Sequence, residues 1–123
     1  MSFVFTGKAE FKIKDAEELE LVAGPSQFFR IVSRLRVINN DASSITPTIA
    51  IKNTSDEALA EDMEYVKILP ANAIASGGFL EDESPVAIIG QGQSLIIQLA
   101  AEPSDVTDES LLPTVLVSWY DSR

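Results

Sequence analysis

The feature that most constrains this chain is a period of two in its apolar residues, repeated in short runs from end to end. "EFKIK" (10–14) sets Phe11 and Ile13 against Lys12 and Lys14, and "EELELV" (17–22) sets Leu19 and Leu21 against Glu18 and Glu20. From Phe29 onward the odd positions Ile31, Leu35 and Val37 are apolar, "TPTIAIK" (46–52) carries Ile49 and Ile51, "SLIIQLA" (94–100) carries Leu95, Ile97 and Leu99, and "TVLVSWYD" (114–121) carries Val115, Val117 and Trp119. Alternation of this kind gives a strand one core face and one solvent face, which a helix cannot use. The expectation is an all-β fold: a single antiparallel β-sandwich, jelly-roll or immunoglobulin-like, of about seven or eight strands.

Turn chemistry separates the runs. "AGPSQ" (23–27) holds Gly-Pro, "NNDASS" (39–44) holds side chains that bond nearby backbone, and "SGG" (76–78) and "GQGQ" (90–93) supply glycine where φ turns positive. The last is read as a hairpin between "VAII" and "SLIIQL". One segment departs from the strand pattern. "TSDEALAEDMEYVKIL" (54–69) opens on a capping box, Thr54 and Glu57, and predicts at most one short helical turn near 55–62 followed by a strand near 64–69. The 123 residues suit one sandwich domain over 1–123, in which 1–16 is either an N-terminal arm or an edge strand.

Composition removes most chemistry. The chain has no histidine and no cysteine, so the commonest general base, the usual zinc ligands and thiolate nucleophiles are missing. No catalytic, cofactor-binding or metal-binding residue is expected, and no cofactor. A net charge of −10 repels phosphate backbones, so no nucleic-acid partner is expected. The apolar runs are too short for a membrane-spanning helix, and "MSFVFTGKAEF" is broken by Gly7 and Lys8 before it could act as a signal peptide. The acidic stretches "SDEALAEDME" (55–64), "EDES" (81–84) and "SDVTDES" (104–110) read as solvated loops; Asp105, Asp108 and Glu109 are the best oxygen ligands for calcium, without EF-hand spacing. "GQGQSL" (90–95) opens like a dinucleotide fingerprint, but a strand follows where phosphate binding needs a helix.

The succession in "ELELVAGPSQFFRIVSRLRVINNDASSITPTIAIKN", followed by "GQGQSLIIQLA" and a closing "VLVSWYD", resembles the small β-sandwich virion proteins of tailed bacteriophages and prophages. The acidic segment 55–64 and the extension 1–16 depart from that pattern. The resemblance implies a non-enzymatic structural protein, a symmetric homo-oligomer on the capsid, neck or tail, with other virion proteins as partners. It implies a virion location after synthesis in the host cytoplasm. The competing reading is a small ligand- or carbohydrate-binding sandwich module, although one Trp and two Tyr are few for sugar stacking.

Three of the chain's four arginines, Arg30, Arg34 and Arg36, fall within "RIVSRLR". With Ile31, Leu35 and Val37 inward, strict alternation sends all three outward in a row of about 20 Å. Glu18 and Glu20 on the preceding strand are the expected partners in a cross-strand ladder; an acidic patch of a neighbouring subunit is the alternative. Trp119 is expected inward and Tyr120 outward. The interface candidates are therefore Arg30, Arg34, Arg36, Tyr120, and Phe3 and Phe5 near the N-terminus.

Overall fold

In a computed structural model the described residues, 6–26, 28–53, 66–69 and 72–122, form eight strands. They are β1 (Thr6–Lys12), β2 (Leu19–Ala23), β3 (Phe29–Ile38), β4 (Pro47–Asn53), β5 (Val66–Leu69), β6 (Phe79–Ile89), β7 (Gln93–Leu99) and β8 (Thr114–Ser122). Two antiparallel sheets run in the orders β1-β8-β3-β6 and β2-β7-β4-β5. The pairs β1·β8, β2·β7, β3·β6 and β4·β5 are the rungs of one long hairpin rolled onto itself, which is jelly-roll connectivity and not the immunoglobulin one.

The core lies between the sheets. Val32, Leu35, Val37, Ile89, Val115 and Val117 from the first sheet meet Leu21, Val22, Ile49, Leu95, Ile97 and Leu99 from the second. Each is nearly fully buried, and each contributes roughly 1.5–3 kcal/mol relative to exposure. The alternation seen in the sequence is thus the inward half of most strands; the exception is Ile31, expected inward, which lies on the outward face opposite Ile88 and Tyr120 because a bulge at Ser33 shifts the start of β3.

Local departures have local causes. The "GQGQ" turn is tight, with Gln93 N donating to the Gly90 carbonyl at 3.3 Å and Gly92 at φ 71°. It is not a hairpin, because β6 and β7 belong to different sheets; the turn is a corner that carries the chain across the core. "EDES" is not a loop, since it lies inside β6. "SDVTDES" is a solvated loop as expected, and it ends in a 3-10 turn at Glu109–Leu111 capped by the Asp108 carboxylate accepting from Ser110 N. The helical turn expected near 55–62 lies outside the described residues, whereas the strand expected near 64–69 is β5.

β1 takes the edge-strand place in its sheet, with Gly7, Ala9 and Phe11 on the core side. A Cβ on Gly7 would overlap the Trp119 indole, so glycine lets that ring lie against β1. The polar loop after β3 is knotted as its composition suggests. Asn39 Nδ2 donates to the carbonyls of Ser43 (2.9 Å) and Ile74 (2.8 Å), and Asn39 Oδ1 accepts from Asp41 N (2.9 Å). Asp41, 2% exposed, accepts from Ser104 N and Oγ. Among the described residues no helix is long and apolar enough to cross a membrane.

Candidate functional site

The arginine stretch lies on β3, the inner strand between β8 and β6. The register shifts between Val32 and Arg34 against both neighbours. Relative to β8, Ser33 is one extra residue, and a bulge of one residue exchanges the faces of everything beyond it. Val32 and Leu35 both point into the core at 0% exposure, although they differ in parity. The single row of three outward guanidinium groups is therefore corrected. Arg30 shares its face with Val32 and turns inward, while Arg34 and Arg36 turn outward. Strict alternation could not reveal this, because a bulge is set by the partner strand.

Arg30 closes one end of the sandwich. Its Nε and Nη2 donate to Asp121 Oδ1 and Oδ2 at 2.7 and 3.2 Å, its Nη1 donates to the Ala23 carbonyl at 2.9 Å, and its guanidinium lies 5.8 Å from the Trp119 ring centroid. The two side chains of the pair are 22% and 19% exposed. Ala23 ends β2, so this one side chain ties the two sheets together. Trp119 packs on the core as its parity predicts, and Tyr120 lies on the outward face opposite Ile31.

The outward face of β1-β8-β3-β6 is built in cross-strand rows. One row runs Lys8, Ser118, Arg34, Glu83; the next runs Glu10, Leu116, Arg36, Glu81. Apolar rows flank them, with Ile31 opposite Ile88 on one side and Ile38 opposite Phe79 on the other. Phe79 is 56% exposed and Ile88 53%, and they lie at opposite ends of the face. The short side chains of β8 leave an open groove of about 570 Å³ between the long ones of β1 and β3, lined by Lys8, Glu10, Arg34, Arg36, Leu116 and Ser118 among others.

The charge partners differ from those expected. β2 lies in the other sheet, so Glu18 and Glu20 cannot form a ladder with β3. Glu18 pairs instead with Lys52 at 2.6 Å. Arg34 Nε and Nη2 both donate to Glu81 Oε1, at 2.8 and 2.6 Å, with Glu83 at 3.6 Å. That hydrogen bond, with the charges of Arg34 and Arg36, holds the Glu81 carboxyl below its ordinary value of 4.5 against a smaller opposing effect of desolvation. Arg36 is less well served. Its guanidinium sits 4.6 Å over the Phe79 ring, and its buried Nε has no hydrogen-bond partner.

Glu81, Glu83, Phe79 and Ile88 were not singled out in the sequence, and "FLEDE" (79–83), two apolar residues followed by three acids, carries no alternation that could have marked a strand. Phe3 and Phe5 lie outside the described residues. Asp105 and Asp108 spend a carboxylate oxygen on Thr107 and Ser110 within their own turns. Among the described residues no three acidic side chains gather where they could hold a metal ion.

No protein-family model matches the chain, and no curated protein sequence matches it. Among solved structures it is similar to a chain of the "Cyanophage Pam1 capsid asymmetric unit", with a TM-score of 0.45 and 16% identity, over 98% of this chain and 84% of that one.

Proposed function

We propose that this chain is a non-enzymatic structural protein of a tailed-phage or prophage particle, made in the host cytoplasm. In this reading it assembles as a symmetric homo-oligomer and meets other virion proteins on the capsid, neck or tail. The observation that carries it is the outward face of β1-β8-β3-β6, where rows of paired charge lie between exposed apolar rows on an inner and an edge strand. Such a face is open and of mixed polarity, as protein contacts are, and its groove is not a closed pocket for chemistry. The sequence resemblance to small phage β-sandwich proteins supports the particle, and the absence of histidine and cysteine from the chain supports a structural role. Jelly rolls serve capsids, lectins and cupins alike, so the fold alone decides nothing.

The test is to incubate the purified protein with separated capsids, necks and tails of a candidate phage and to measure co-sedimentation. Stoichiometric binding to one component is the expected result. A chain that stays monomeric and sediments with none would overturn the reading. The groove along β8 favours a second reading, a small-ligand module. Its lining residues include no aromatic ring for sugar stacking, and saturable binding in a sugar titration would promote it.

A further inference from the structure

We infer that the outward face of β3 and β6 binds the same face of a second copy, around a twofold axis running parallel to the strands and between them. The inference rests on the reading of the chain as a self-assembling structural protein. Four cross-strand pairs carry it: Ile31–Ile88, Arg34–Glu83, Arg36–Glu81 and Ile38–Phe79. In all four the β3 member is apolar or cationic, and the β6 member is apolar or anionic. The order along the strands is apolar, charged, charged, apolar.

A twofold axis parallel to the strands lays β3 of one copy over β6 of the other at the same height. Arg34 then meets the partner's Glu83, Arg36 meets the partner's Glu81, and each apolar residue meets an apolar one. Every contact is made twice, as a closed isologous interface requires. A twofold axis across the strands would instead set Arg34 over the partner's Arg36. The charged rows lie at the centre, where two twisted sheets packed at about 30° stay in register best.

Other surfaces fit less well. On the second sheet, Ala50 and Ile96 fall on the outward side by alternation, yet they are 0% and 1% exposed, and Lys52 and Ser94 beside them are also buried. The β6 edge is guarded against strand addition. Pro85 offers no N–H, and Asp82 stands opposite the core residue Leu35. Within its own chain, Arg36 has an orphaned Nε and stacks on a half-exposed ring. An Arg stacked on an aromatic at the centre of a face is the usual composition of an interface anchor.

The test uses two charge-reversed variants of the full chain, Arg34→Glu with Arg36→Glu, and Glu81→Arg with Glu83→Arg. Both are measured by sedimentation velocity and by urea unfolding. Wild type is expected as a dimer. Each variant alone is expected to weaken association about a hundredfold, because like charges then face each other. An equimolar mixture of the two variants is expected to recover the dimer, which a merely misfolded variant cannot do. A monomeric wild type, association unchanged in both variants, or a mixture that fails to pair would each overturn the inference. Wild type that remains monomeric yet binds a phage particle would sink this face assignment and leave the structural function standing.

Discussion

Arg30 and Arg34 are four residues apart on one strand, and the molecule uses them in opposite ways. Arg30 turns inward, forks onto Asp121, reaches the Ala23 carbonyl on the other sheet and stacks near Trp119. Arg34 turns outward, is 52% exposed, and pairs with Glu81 across to the edge strand. The residue type and the strand are the same; only the bulge at Ser33 lies between. A partly dry guanidinium with three hydrogen bonds contributes to stability, whereas an exposed ion pair contributes little to it and can exchange partners with something else. One inserted residue thus separates an internal clasp from an external contact.

Deleting Ser33 should break the contrast most severely. Without the extra residue, either Val32 and Arg30 or Leu35 and Val37 must leave the core face. The expected outcome is loss of a cooperative unfolding transition, followed by circular dichroism in urea. Arg30→Ala comes next, with an expected loss of about 2–3 kcal/mol from the forked pair, the backbone contact and the ring, read as a lower urea midpoint. Arg34→Gln with Arg36→Gln should change the stability of the dissociated monomer by no more than about 0.5 kcal/mol.

The smallest effect sharpens the outer half. Because Glu81 is held below 4.5 chiefly by Arg34, its pairing is fully present above that pH and is lost as pH falls through the lowered value. In Arg34→Gln the Glu81 carboxyl should titrate nearer 4.5, visible in its side-chain carbon shift by NMR. Asp41 has the same sign for a different cause. The Ser104 hydroxyl and amide hold it below 3.8, so acid below that value should loosen the loop after β3, and Asp41→Asn should remove that part of the acid sensitivity.

Much of this was legible in the chain. Leu35, Val37, Ile49, Leu95, Ile97, Leu99, Val115 and Val117 are buried as their alternation demands, and Asn39 bonds local backbone as such residues do in turns, whereas the Asp41 carboxylate reaches across to Ser104. Topology was open between two sandwiches, because period two says which face is inward and nothing about which strand is next door. That gap misassigned Glu18, whose partner Lys52 lies across the second sheet, and made a hairpin of the corner at Gly90. The candidate site was half visible. Arg34 and Arg36 stood out by composition, while Glu81 and Glu83 were lost in an acidic run that reads equally well as loop. Arg30 stood out with them by composition, parity put all three on one face, and parity fails at a bulge.

The most direct measurement compares Arg30→Gln with the double variant Arg34→Gln, Arg36→Gln in paired experiments, urea unfolding for stability and sedimentation for association. A crossed result is expected, with unfolding followed at dilutions below the dimer dissociation constant: Arg30→Gln lowers the unfolding midpoint and still associates like wild type, and the double variant unfolds like wild type and associates more weakly. If both variants move the same quantity and leave the other alone, the division of β3 into clasp and contact is wrong.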